Sequence, residues 1–211
     1  MTLRAVKWIG VAITVPLAIG MAGCSPDKPA EPLGPPTPSG ATLIPGGPME
    51  NAPTVKDPKI PGSQQEAQDT VLRYLQQTVN VLPTGSTLDG ARLAVGHGTT
   101  YCENEPADHN APVHFEDWRD VVVPAGTDSN VVVAQIGDAW KTWGWEVRER
   151  EGFPKPNRFG YAPDGYILQI KVRTDPQKSL SLIGSSPCFS GSLRQDDTPR
   201  NPVVITQSAA G

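Results

Sequence analysis

The sequence predicts an α+β domain with two helices packed on one face of a mostly antiparallel sheet of about five strands. Three observations carry this. Val71, Leu75, Val79 and Leu82 recur at helical spacing, and Val132, Ile136, Trp140 and Trp143 repeat the pattern. Between them and the C-terminus, Tyr166, Leu168, Ile170 and Val172 alternate with Ile167, Gln169, Lys171 and Arg173, the two-residue period of a strand. A helix and a sheet each carry an apolar face that must be buried, and stacking one on the other buries both.

The elements follow in order. Ser63-Gln64-Gln65-Glu66 is a capping box that opens the first helix, and Pro83 lies past its end. Thr99 to Glu103 reads as a strand carrying Cys102, and Glu116 to Val123 as a Val-rich second strand. Thr127, Asp128 and Ser129 offer N-cap residues for the second helix, and Gly144 its C-cap. Trp145 and Val147 alternate with Glu146 and Arg148, as in a half-exposed strand. Glu149 to Pro163 reads as a loop, Tyr166 to Arg173 as the clearest strand, and Leu180 and Leu182 as the returning strand toward Cys188. The αββ start recurs as αβββ, with no sequence identity between the two. The tail from Gly191 is polar and proline-bearing, and disorder is expected for residues 191–211.

The N-terminus carries the most specific signal. Arg4 and Lys7 precede an apolar run from Trp8 to Met21, and Ala22-Gly23 lead into Cys24. The run is shorter than the roughly 20 residues of a membrane span and contains Pro16, so it reads as a signal peptide over residues 1–23. Cys24 completes a lipobox, with Met21 where Leu is usual, and is the expected lipidation site. Localisation is then the extracytoplasmic side of a cell membrane, held by lipid. Residues 25–62 contain eleven prolines and few large apolar residues, as expected of a disordered tether. Ser25-Pro26-Asp27-Lys28 matches Ser-x-x-Lys, but in a tether no helix positions it. The net charge of −4 includes Arg4 and Lys7, so the chain cut before Cys24 is more acidic still. That argues against a nucleic-acid partner.

Cys102 and Cys188 remain once Cys24 is lipidated. In an exported chain an even pair reads as a disulfide, worth on the order of 4 kcal/mol for a loop this long. Two separate buried thiols are the alternative. Gly165-Tyr166-Ile167-Leu168-Gln169-Ile170-Lys171, the later Cys188-Phe189 and the earlier Cys102 after a first helix resemble the LppA-like lipoproteins of mycobacteria. The resemblance covers about residues 63–190. It implies a cell-envelope lipoprotein and a cysteine pairing, and carries no catalytic residues over. The proline tether is longer than that family implies.

Catalytic signatures are weak. His97, His109 and His114, with Asp108 and Cys102, lack the tight spacings of metal sites and read as solvated loop residues, so no metal or cofactor is expected. No Gly-x-Ser-x-Gly turn is present, Ser185-Ser186 precede a proline, and Glu103, Glu105 and Asp108 read as solvated carboxylates. No catalytic residue is assigned. The aromatic residues are more informative. Trp140 and Trp143 lie on an apolar stripe and are expected to pack in the core, while Trp140, Phe153, Phe159, Tyr161 and Tyr166 are candidates for a ligand or partner contact. The sequence therefore predicts a non-enzymatic binding or accessory module of the cell envelope, with an envelope protein or a lipid as partner. A carrier of an apolar ligand, with a pocket between helices and sheet, is the alternative. A pocket lined by Trp140, Tyr161 and Tyr166 favours the carrier; a solid core with exposed aromatics favours a protein partner.

Overall fold

The computed structural model describes residues 53–93, 96–174, 179–195 and 199–208. The signal segment, Cys24 and most of the tether lie outside them. Among the described residues two helices, α1 (Gln64–Asn80) and α2 (Ser129–Thr142), accompany eight strands: β1 (Thr87–Asp89), β2 (His97–Tyr101), β3 (Val113–Val122), β4 (Glu146–Arg148), β5 (Asn157–Tyr161), β6 (Ile167–Val172), β7 (Leu180–Ser185) and β8 (Val204–Thr206). The α+β class holds, with eight strands rather than about five. Every pairing is antiparallel, in the order β4-β5-β6-β7-β3-β1-β8, and β2 also pairs with β3. β1 and β2 share one edge of β3: β1 faces Asp120 to Val122, and β2 faces Val113 to Asp117.

Both helices cover one sheet face. Ser63 caps α1 by accepting from the Glu66 N–H, but Glu66 reaches back to the Gly62 N–H at 2.9 Å, one residue before the expected partner. Asp128 caps α2 through the Asn130 N–H, and Gly144 takes the left-handed conformation that ends it. Ala67, Val71, Leu75 and Val79 of α1 and Val132, Val133, Ile136 and Trp140 of α2 pack on Val113, Phe115, Leu168, Ile170, Leu180 and Leu182. One cross-strand row places Gly160, Leu168 and Gly184 side by side. A Cβ on Gly160 would lie 2.5 Å from the Trp140 ring, and one on Gly184 2.7 Å from Val71. Each helix therefore approaches the sheet over a glycine.

Three expectations are corrected. Asn157 to Tyr161 is a strand, not loop, because its pairing with β6 supplies order that its own polar residues do not signal. The tail is ordered across much of its length. Gly191–Leu193 forms a 3-10 turn, the Gln195 N–H donates to the side chain of Gln64 at 2.6 Å, and β8 pairs with β1 while burying Ile205. The end of the tether also contacts the domain: the Lys59 N–H donates to the Asp164 carbonyl at 2.8 Å, and Pro61 is buried.

Candidate functional site

The cysteines form a disulfide with Cα atoms 6.4 Å apart. It ties the first strand read from the sequence, which carries Cys102, to the end of the returning strand toward Cys188. Cys102 follows β2, Cys188 precedes the Val113–Phe189 bridge, and the bond links these two segments, which flank Val113 at the start of β3.

The candidate contact aromatics do not form one group. Trp140 and Tyr166 lie in the helix-covered core, 0% and 2% exposed. Trp140 donates its indole N–H to Thr78 Oγ1 at 3.1 Å, which removes the polar cost of burying the ring. Phe159 and Tyr161 lie on the opposite sheet face, set there by their register with Gln169 and Ile167. Phe153 folds over that face to meet Phe159 at a tilt of 57° with ring centroids 4.9 Å apart, and Arg150 and Lys171 sit over these rings. Burial, and then the neighbouring Arg173, hold Lys171 below the ordinary lysine range. Trp140 and Tyr161 therefore cannot line one cavity: the sheet separates them.

A different aromatic group borders solvent. Trp145, just after α2, is the central ring. It stacks on buried Trp140 at 6.1 Å, and meets Tyr74 edge-on at 4.8 Å and Trp143 at 5.6 Å. Tyr74, Trp143 and Trp145 line a cleft of about 670 Å³, with Arg73, Asn80 and Asp164 among its polar residues. α1 supplies Arg73 and Tyr74, the C-terminal end of α2 supplies Trp143, and the turn before β6 supplies Asp164. Tyr74 donates its hydroxyl to Asp164 at 2.6 Å, while the Arg73 guanidinium lies 4.6 Å above the Tyr74 ring. Burial and then the Asp164 carboxylate push the Tyr74 hydroxyl up to about 12. The sequence pattern placed Trp143 on the core stripe and Trp145 on a half-exposed strand, and neither was a candidate contact residue. It did not mark Tyr74, whose position beside the stripe of α1 gave no sign of the cleft.

Sequence reasoning also missed a buried ionic cluster. Asp117 and Arg119 are both fully buried on the helix-covered face. Arg119 donates twice to Asp117 Oδ2, at 3.0 and 2.7 Å, and once to the Val203 carbonyl. Arg200 brings Nε to 3.1 Å from Asp117 Oδ1 and donates to the carbonyls of Gly90 and Leu93. His97 Nδ1 lies 3.5 Å from the same Oδ1. This cluster holds the tail to the sheet; it does not open on the cleft.

No family model matches this chain, and neither does any curated protein or solved structure.

Proposed function

We propose that the protein is a lipid-anchored, non-enzymatic binding module of the cell envelope that engages a protein partner at the Tyr74–Trp143–Trp145 cleft. The lipobox ending at Cys24 and the resemblance to LppA-like lipoproteins support the location. The Cys102–Cys188 bond accords with an oxidising compartment. The cleft carries the binding reading: apolar ring surface beside a cation and a carboxylate is the composition of a partner anchor site. The carrier reading is weakened by Trp140 and Tyr161 lying on opposite sides of the sheet.

Native mass spectrometry of the full chain purified from its own envelope separates the two. A co-purifying protein that is lost in Trp143→Ala, with melting lowered by no more than a few degrees, is the expected result. A lipid-sized adduct retained in that variant would replace this reading with the carrier. Fatty-acid-analogue labelling tests the anchor: label should vanish in Cys24→Ala, and its persistence would reject the lipobox.

A further inference from the structure

We propose that Cys102, Cys188 and His114 form a zinc site when the disulfide is reduced, so that the bond seen here is its closed, metal-free state. Among the described residues these three make a group of metal-ligand type, their ligand atoms all within 4.8 Å of one another. His114 Nδ1 lies 3.6 Å from Cys102 Sγ. Tetrahedral zinc, with Zn–S of about 2.3 Å and Zn–N of about 2.0–2.1 Å, sets a sulfur and a nitrogen ligand about 3.6 Å apart. The nitrogen and the first sulfur already stand at ligand spacing.

The surroundings of His114 supply the second argument. Its side chain is 6% exposed, and Nε2 lies 3.1 Å from Glu116 Oε1. Glu116 also accepts from Trp118 Nε1 at 3.1 Å and lies 3.4 Å from Ser185 Oγ. A carboxylate at the far nitrogen favours the tautomer that leaves Nδ1 as a bare acceptor facing the sulfur. That is the support that metal-binding histidines ordinarily receive from a neighbouring carboxylate. Cys102 is buried and Cys188 exposed, so an ion reaches the site from the Cys188 side. Water takes the fourth position.

Opening the site is a balanced exchange. A dithiol donor gives two electrons and two protons to the disulfide. The S–S bond breaks, Cys102 and Cys188 become thiols, and the donor becomes a disulfide. Zn²⁺ then binds both sulfurs as thiolates, releasing one proton from each. The two sulfurs part by roughly 1.7 Å, from a bond of about 2.05 Å to a tetrahedral spacing of about 3.8 Å.

The test uses the full chain carrying Cys24→Ala, reduced by a dithiol, desalted without oxygen and titrated with Co²⁺ alone and then Zn²⁺ alone. The reduced chain should take up one Co²⁺ with thiolate-to-cobalt charge-transfer absorption, and one Zn²⁺ should displace it; the oxidised chain should give no such band. Glu116→Gln should weaken binding about 10–100-fold, and His114→Ala further. Should reduction unfold the apo chain, one equivalent of Zn²⁺ should restore its native circular dichroism. A reduced chain without the band, equal affinity in His114→Ala, or metal bound without recovery of the fold would each overturn the proposal.

Discussion

At the scale of single residues, the alternation of β3 decides which charges are buried. Val113, Phe115, Asp117, Arg119 and Val121 share the helix-covered face, and His114, Glu116, Trp118 and Asp120 the other. The sequence pattern gives a strand here, but both faces mix apolar and charged residues, so it cannot tell which charges go inside. Arg119→Ala leaves Asp117 short of its closest partner in a dry site. Denaturant unfolding should register a loss of about 3–5 kcal/mol. Tyr74 gives a pH signature. Its ionisation is raised from about 10 to about 12, so the unfolded chain releases the proton first as pH rises. Its contribution to stability is therefore complete below pH 10 and declines between about 10 and 12. Ultraviolet titration of tyrosinate should lose its last step in Tyr74→Phe, and Asp164→Asn should move that step downward. An unchanged titration curve in Tyr74→Phe would contradict the assignment.

At the scale of elements, the long periodic segments were legible and the short paired ones were not. α1, α2 and β6 announce themselves through apolar spacing sustained over many residues. β5 holds Asn157, Arg158 and Gly160 among its five residues, and β8 is three residues long; their order comes from partners distant in the chain. The cleft was not legible as a site for the same reason, and none of its lining residues was among the candidate contacts. Trp143 and Trp145 stand near each other in sequence, while Tyr74 and Asp164 arrive from separate elements. Two variants probe these elements. Gly160→Ala forces a methyl group against Trp140, where little can yield, and should cost about 1–3 kcal/mol. A chain ending at Gln195 loses Arg200, buried Ile205 and all of β8, and should lose about 3 kcal/mol or more by denaturant unfolding. An unchanged midpoint in that truncation would mean that the tail does not pack as described.

At the scale of the whole molecule, one packing arrangement joins a filled core to an aromatic cleft. The helix-covered core is filled by large side chains, Trp140 among them, and the neighbouring Trp145 carries the aromatic contact outward to the cleft. The same stripe of α2 thus yields a fully buried ring at Trp140 and, three residues on, a partly exposed one at Trp143. The central claim is that Trp140 holds the fold and Trp143 serves the cleft. Parallel denaturant unfolding of Trp140→Ala and Trp143→Ala tests it most directly. Trp140→Ala should lose about 3–5 kcal/mol, as for other large buried aromatics, and Trp143→Ala clearly less, about 1 kcal/mol. Equal losses, or a loss under about 1 kcal/mol in Trp140→Ala, would contradict that division.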